Sequence, residues 1–287
     1  MDLKQIVMLA LQVSIMCTVF GFGLNATSQD LLYLVRRPGL LARSLLSVFV
    51  IMPAVAVLLV KVFDFPRQVE IVLVALAISP VPPLLPQKEA KAGGHASFGL
   101  GLMAMLPLVS IVAVPLSLAI LARVTGRQLE IAPSALAALV LKAAIVPLLI
   151  GMAVRAWAPA LASRLEKPVG LVARVLLPVA VLVLLAGAAS AIWALIGYGR
   201  VLAMTIFTLA GLGIGHVLGG PDPDHSVDLA LSTACRHPAI ALTIATTNFP
   251  NERFGAIILL YLLVNAIVDI PYVKWQRRQI ADAVQAV

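Results

Sequence analysis

The sequence has few charged residues, few aromatic residues and almost no cysteine. Only 12% of its 287 residues are charged and 6% are aromatic, and the two cysteines are Cys17 and Cys235. Soluble domains carry about 25% charged residues, so this composition excludes an ordinary soluble protein. Both cysteines lie in apolar runs and give no disulfide framework. Linkers and low-complexity tracts are also missing, so we predict one domain over residues 1–287.

Apolar residues take the place of the missing charge. They make up 61% of the chain, and the mean hydropathy is +1.04. A helix that crosses a bilayer needs about 20 apolar residues, and such segments recur here with short polar joints between them. The pattern predicts an all-α integral membrane protein with nine transmembrane helices. The predicted spans are Gln5–Leu24, Leu40–Val60, Val69–Ala92, Ala96–Ala122, Pro133–Trp157, Val169–Ile196, Val201–Leu218, Val227–Asn248 and Phe254–Trp275.

The net charge of +8 is interpreted by its location along the chain. In a membrane protein, lysine and arginine in short loops orient the spans, so the charge does not indicate a nucleic-acid partner. Ten cations fall on one predicted side and seven on the other, which predicts an outside N-terminus and a cytoplasmic C-terminus in a bacterial inner membrane. The ten are Arg36, Arg37, Arg43, Arg155, Arg164, Lys167, Arg174, Lys274, Arg277 and Arg278, and the seven are Lys4, Lys61, Arg67, Arg123, Arg127, Arg200 and Arg253.

Prolines and charges interrupt two of the predicted spans, at residues 78–94 and 232–238. An interrupted helix survives in a bilayer only where it is shielded or lines a cavity, and ionisable groups at that depth normally face the bundle interior. We therefore predict a substrate-binding or gating site at the two breaks. Its candidates are Arg236, His237, Ser232, Thr233, Lys88, Glu89, Lys91 and Lys142, with the helix-breaking prolines Pro80, Pro82, Pro83, Pro86 and Pro238.

Several of these residues have a second interpretation. Lys88 and Lys91 either face a cavity or form a cytoplasmic helix end with snorkelling side chains. His237 either exchanges a proton or bonds a freed backbone carbonyl, and Lys142 either ties two helices together or contacts the substrate. Asp269 is a less secure member of the group. Since the cluster is net cationic, an anionic ligand is favoured.

The breaks also occupy matching positions in two halves of the chain. When the chain is divided into about 5–122 and about 131–276, the halves hold four and five spans, and each break falls in the next-to-last span of its half. Paired discontinuous helices at corresponding positions are typical of inverted-repeat secondary transporters.

Other functional classes fit less well. The spans hold no paired carboxylates, no His-x-x-x-His spacing and no nucleophile beside a base, so we predict that the protein is not an enzyme and needs no metal or cofactor. The acidic run at residues 221–228 is typical of a solvated turn. Channels line pores with rings of like residues from symmetric subunits, whereas this symmetry lies within one chain. A membrane sensor or scaffold that transports nothing is the alternative function.

Short motifs along the chain resemble those of the bile acid:sodium symporter family in order and spacing. The resemblance runs from about Val7 to the C-terminus. The motifs are Phe-Gly-Phe-Gly-Leu-Asn-Ala-Thr-Ser-Gln-Asp at 20–30, Arg37-Pro38, Met52-Pro53-Ala54, Ser79-Pro80 with Gly93, Lys142 with Pro147, and Asn265 with Trp275.

The resemblance implies a panel domain and a core domain. By position, the first, fifth and sixth spans would form the panel, and the two broken helices would cross at the centre of the core. In the family the crossover binds two sodium ions, an organic anion lies between the domains, and transport proceeds by alternating access. Members with nine helices have an outside N-terminus. Asn265 joins the candidate site on this basis.

The sequence departs from the family at the expected sodium sites. An apolar and proline-rich run, residues 81–86, replaces a polar one, and the acidic and Gln-Asn positions of the second break fall on Ser232, Arg236 and His237. Sodium prefers several oxygen ligands, which these residues do not supply. We therefore predict a secondary transporter of a small organic anion in which Arg236 replaces the bound cation. Transport would be facilitated, or coupled to protons through His237 or Glu89; the substrate and the choice between monomer and dimer stay open.

Overall fold

The computed structural model describes residues 3–125, 129–197 and 199–285, and all regular structure in this part of the chain is helical. The all-α prediction is therefore confirmed for these residues. The helices are α1 (Leu3–Asn25), α2 (Ser28–Leu32), α3 (Pro38–Leu46), α4 (Met52–Val62), α5 (Arg67–Ile78), α6 (Leu85–Ala92), α7 (Ala96–Thr125), α8 (Pro133–Val140), α9 (Val146–Trp157), α10 (Pro159–Leu195), α11 (Arg200–Gly219), α12 (Pro223–Ala234), α13 (Pro238–Asn248) and α14 (Gly255–Gln285).

Seven stretches of the described chain are long and apolar enough to cross a membrane. They are α1, α7, α10, α11, α14 and two composite spans, in which a π-helical segment joins α3 to α4 and another joins α8 to α9. The π segments are Ser47–Ile51 and Leu141–Ile145. Each ends two residues before a proline, Pro53 or Pro147. Since proline lacks a backbone N–H, a wider turn before it accommodates the missing hydrogen bond.

The two predicted broken spans are each a pair of short helices. Residues 79–84 separate α5 from α6, and residues 235–237 separate α12 from α13. The four helices contain 8 to 12 residues each. At about 1.5 Å per residue, none of them alone can cross a hydrocarbon core of about 30 Å.

Two helices begin earlier than the sequence pattern predicts. Helix α10 begins at Pro159, ten residues before the predicted Val169, because the charged stretch at 164–167 extends the helix beyond its apolar part. The prediction of a solvated turn at 221–228 is wrong from residue 223 onward. Helix α12 begins at Pro223, and Asp228 is fully buried within it. Proline at the first position of a helix, followed by aspartate in the first turn, is a favourable start.

Polar contacts join helices at one end of the bundle. Ser97 Oγ donates to Asp30 Oδ1 over 2.6 Å, and Arg277 Nε donates to the Lys91 carbonyl. Burial works to raise the pKa of the Asp30 carboxyl, but hydrogen bonds from Ser97 and Thr27 outweigh it and hold the pKa below its ordinary value. This end carries the predicted ten-cation side.

A separate set of contacts joins loops at the opposite end. Arg67 forms an ion pair of 3.4 Å with Glu252, and the Glu130 backbone N–H donates to Asn248 Oδ1 over 2.7 Å. These loops carry the predicted seven-cation side, of which Arg127 lies outside the described residues. These contacts place Arg277 at one end of the bundle and Arg67 at the other, and the orientation of the two ends in a membrane stays a prediction.

Helices α1, α9 and α10 pack together as a group. Ser14 Oγ on α1 donates to the Ala173 carbonyl of α10 over 3.2 Å, and an added Cβ at Gly23 would lie 2.9 Å from Gly151 Cα on α9. The outer face of α10 is apolar and open, with Leu182 65% exposed. Exposed apolar side chains on a helix of this length are expected to contact lipid.

A stripe of glycines lets α12 lie directly against α11. The stripe consists of Gly211, Gly215 and Gly219, spaced one turn apart. An added Cβ would lie 2.7 Å from Ala234 Cα at Gly211 and 2.5 Å from Ala230 Cα at Gly215. Close approach through small residues is a common way to pack helices in membranes. It fixes the position of α12, which carries several site residues.

We expect Gly215→Ala to destabilise the protein by about 1–3 kcal/mol, the usual cost of overpacking a tight interface. Thermal unfolding in detergent measures the change. Gly213→Ala is the matched control on the same helix, because nothing lies within 4 Å of an added Cβ there. The control should be no less stable than the parent, since alanine is the better helix former. Equal losses in the two variants would contradict the packing assigned to α11 and α12.

Candidate functional site

The two breaks meet at the centre of the bundle. The His237 backbone N–H donates to the Pro80 carbonyl over 2.8 Å. The Arg236 guanidinium donates from Nη1 to the Ser79 carbonyl over 3.1 Å and from Nη2 to the Val48 carbonyl over 2.9 Å. One residue of the second break therefore joins the first break to the π segment before α4.

The carbonyls that Arg236 bonds are those that proline leaves without a donor. In α-helical register the Ser79 carbonyl would accept from residue 83, and in the π register before α4 the Val48 carbonyl would accept from residue 53; both positions are proline. A buried carbonyl without a donor is costly where water is excluded. The prolines therefore leave these carbonyls without backbone donors, and the arginine supplies the donors.

At the second break, too, a side chain donates to a carbonyl that proline leaves without a backbone donor. Pro238 lies four residues after Ala234, whose carbonyl accepts from the Tyr261 hydroxyl over 2.8 Å. The same hydroxyl accepts from the Arg236 backbone N–H over 2.9 Å. Tyr261 is fully buried and was not a sequence candidate. Only its position in the apolar last span was visible from the sequence.

Arg236 is 1% exposed and serves as an internal cation. Both of its terminal nitrogens are hydrogen-bonded to backbone carbonyls, so the guanidinium is not presented to an anion in this conformation. Its replacement of a bound cation and its contact with the substrate both stay predictions.

His237 caps helix α13. Its Nδ1 accepts from the Ile240 backbone N–H over 3.4 Å, so the ring bonds a freed backbone N–H and not, as predicted, a freed carbonyl. Pro238 occupies the first helical position, where its missing N–H costs nothing. An Nδ1 that accepts a hydrogen bond cannot carry a proton, so protonation of the ring there would remove the cap.

The Lys88 side chain points towards the protein interior. Its ammonium forms an ion pair with Asp269 and donates to Cys235 Sγ over 3.4 Å. Asp269 is 1% exposed, and Cys235 Sγ also contacts Asn265 Oδ1 at 3.2 Å. Lys91, one turn later in sequence, is exposed. The two lysines therefore differ: Lys88 faces the crossing, and Lys91 lies on the surface.

A group of buried oxygens lies between α6 and α12. Ser232 Oγ donates to Glu89 Oε1 over 2.8 Å, and the His95 backbone N–H donates to Asp228 Oδ2 over 2.8 Å. Asp228 precedes Ser232 by one helical turn, so both face α6. Glu89 is 2% exposed and Asp228 is fully buried.

Each of these carboxyl groups has one oxygen without a hydrogen-bond partner, Glu89 Oε2 and Asp228 Oδ1. An unpartnered buried carboxylate is unfavourable unless a proton or a cation joins it. Asp228 was missed in the sequence because the neighbouring prolines and aspartates are typical of a turn. The signal that could have identified it is its spacing of four from Ser232.

The other candidates lie in different surroundings. Thr233 Oγ1 is 2.6 Å from Ser47 Oγ at the start of the π segment. Pro82 and Pro86 are part of the first break and of the first turn of α6. Lys142 is exposed on the second π segment, away from the crossing.

A comparison with protein families gives one match. A model of the Sodium Bile acid symporter family matches residues 12–197, more than half of the chain. The chain belongs to this family. Its members are transporters, which fits the prediction that the protein is not an enzyme. No curated protein shows significant similarity to the chain.

The family match ends at residue 197, before the second break. That sodium does not bind at the crossing stays a prediction. The Ser79 and Val48 carbonyls there accept from the Arg236 guanidinium. The run at 81–86 has no side-chain oxygen.

We expect Arg236→Ala to cost about 1–3 kcal/mol for each carbonyl that loses its donor. Thermal unfolding in detergent measures the loss, and Arg164→Ala, at an exposed position on α10, is the control. If the guanidinium replaces a bound cation, sodium chloride should partly restore the Arg236→Ala variant, whereas choline chloride should not. A variant as stable as the Arg164→Ala control would contradict the assigned role.

Proposed function

We propose that the protein is a secondary transporter of the Sodium Bile acid symporter family that moves a small organic anion by alternating access and is coupled to protons rather than sodium. The observation that carries the proposal is the buried Arg236, with its terminal nitrogens on the Ser79 and Val48 carbonyls. A fixed guanidinium there supplies permanently the positive charge that a bound ion would supply in each transport cycle.

The proposed architecture has nine spans arranged as an inverted repeat. The seven continuous spans are joined by the two broken ones, α5 with α6 and α12 with α13. Helix α5 begins at the end of the bundle marked by Arg67 and Glu252, whereas α12 begins at the opposite end, beside Gly220. The broken spans therefore run in opposite directions, as an inverted repeat of about 5–122 and about 131–276 requires.

The mobile parts would be a panel and a core. We assign the panel to α1, to the span formed by α8 and α9, and to α10, because these helices pack on one another. The other spans form the core around the crossing. The N-terminus would lie outside, and the ten-cation end would face the cytoplasm of a bacterium.

The Glu89 and Asp228 carboxyl groups are the proposed proton carriers. Each has a buried oxygen without a donor, and Ser232 links Glu89 to the helix that carries Asp228. A proton bound there removes the cost of an uncompensated buried charge. His237 is a weaker candidate than Glu89, since its Nδ1 is used as a helix cap.

The substrate would bind between panel and core. We propose an anion because the Lys142 cation is exposed on the panel; the charge of Lys88, which is partly exposed beside the crossing, is offset by Asp269. Bile acids, keto acids, pantoate-like acids and sulfated organic anions all combine one negative charge with an apolar body.

Uptake by proteoliposomes tests the coupling. We expect an inward proton gradient to stimulate uptake of a labelled organic anion on the order of tenfold, a size typical of coupling between two ligand sites. A protonophore should remove the stimulation, and exchange of sodium for choline should not. Uptake that depends strictly on a sodium gradient would overturn the proposal.

The same assay assigns the carrier. Glu89→Gln should lose the response to the proton gradient while it still binds the anion, because the amide cannot exchange a proton. Glu166→Gln, at an exposed position on α10, is the matched control and should respond like the parent. If Glu89→Gln keeps the full response, another group carries the proton.

Ligand-induced thermal stabilisation identifies the substrate class. A ligand at a hundredfold its dissociation constant stabilises the folded state by about 2.7 kcal/mol. In a set of different organic anions, we therefore expect some compounds to raise the melting temperature clearly. Stabilisation without any tracer flux would favour the alternative, a membrane sensor or scaffold with the same fold.

A further inference from the structure

Three side chains with metal-ligating atoms converge at the ten-cation end of the bundle, apart from the crossing. They are His95, Asp224 and His225, and one ligand atom from each lies within 4.8 Å of the others. His95 immediately precedes α7, whereas Asp224 and His225 lie in the first turn of α12. The cluster therefore joins two segments that are separated by about half of the chain.

His225 is oriented as a ligand. Its Nδ1 lies 3.2 Å from Asp222 Oδ2, which favours the tautomer with the proton on Nδ1. The Nε2 lone pair then accepts from the Tyr33 hydroxyl over 2.7 Å, and a metal ion would take the place of that hydrogen bond. A carboxylate that fixes the tautomer of an imidazole is the usual outer partner of a histidine that binds a metal.

His95 can free a nitrogen at little cost. Its Nδ1 accepts from the Phe98 backbone N–H over 3.3 Å, but the same N–H also donates to the His95 carbonyl over 3.0 Å. Loss of the side-chain bond therefore leaves no backbone donor unpaired. The imidazole can change tautomer and offer its other nitrogen.

We propose that His95, Asp224 and His225 bind a divalent transition-metal ion of the zinc type. Two imidazoles and one carboxylate are a common zinc ligand set, with a fourth position open to water or another oxygen. The Tyr33 hydroxyl, which now bonds His225 Nε2, is an oxygen close enough to move into that position. Tetrahedral zinc with bonds of about 2.0–2.1 Å separates its ligands by about 3.3 Å, so binding draws the three side chains together by rotation about their side-chain bonds.

The cluster contains carboxylates as well as a nearby cation, the Arg37 guanidinium, whose Cζ lies 3.8 Å from the centroid of the Tyr33 ring. Asp222 and Asp224 place two carboxylates at the cluster, and the Asp224 Oδ1 accepts from the His225 backbone N–H over 2.8 Å, which holds that side chain over the first turn of α12. A bound ion would tie the start of α12 to the start of α7. This inference does not depend on the proposed transport activity.

Titration of the purified, metal-free full chain with zinc sulfate in detergent tests the site. We expect one zinc ion per chain, and a melting temperature that rises with zinc. His225→Ala and His95→Ala should each weaken binding by at least about tenfold, the lower limit for loss of even an outer partner of a metal site. Titration with cobalt(II) should give the absorption spectrum of a four-coordinate ion.

His216→Ala is the matched control, since His216 lies elsewhere and bonds the Tyr272 hydroxyl. It should bind zinc as the parent does. Asp222→Asn is a second variant that leaves all three ligands in place, and it should weaken binding less than His225→Ala. The proposal is overturned if the parent binds no zinc, or if the folded ligand variants bind zinc as tightly as the parent. If the ligand variants unfold, the affinity of Asp222→Asn is compared with that of the parent, and equal affinities overturn the proposal.

Discussion

Backbone carbonyls without donors are the constraint on which this structure depends. Pro53 and Pro238 each remove an N–H that a helix would use, and the proline-rich break at 79–84 leaves the Ser79 carbonyl outside a helix. Each of the three sites therefore holds a buried carbonyl that needs another donor. The Arg236 guanidinium bonds two of these carbonyls, and the Tyr261 hydroxyl bonds the third. Breaks in two helices and a turn of π-helix in another are therefore stable together, although each alone would be costly.

The same constraint explains why a charged side chain lies at the centre of the bundle. A guanidinium has five N–H donors in a rigid plane, which suits carbonyls that approach from different helices. Once it is in place, the carbonyls at the crossing are no longer free for a small cation. In the described part of the chain, four buried side-chain oxygens lack a hydrogen-bond partner, on Glu89, Asp228, Asp269 and Thr208, and the first two carboxyl groups are the proposed proton carriers.

Much of the fold could be predicted from the sequence because a helix that crosses a membrane must be long and apolar. Apolar length predicted the seven continuous spans, and prolines with charges predicted where both breaks begin to within a few residues. The first break, however, ends at residue 84 and not at residue 94, because residues 85–92 form α6. The order of short motifs was sufficient for the family. Predictions failed where one residue pattern is typical of two structures. The Pro221–Asp224 stretch is typical of a turn, but proline and aspartate are also favourable at the start of a helix, and α12 begins there.

The candidate site was predicted as a set of residues but not as an arrangement. The sequence alone determined that ionisable groups lie at membrane depth beside two broken helices, because charge and proline are visible in any apolar run. Only the tertiary structure decided that Arg236 is an internal donor, that His237 is a cap, and that Lys88 pairs with Asp269. The partners lie up to 188 residues apart in the chain, and no local pattern records which distant carbonyl or carboxylate a side chain will reach.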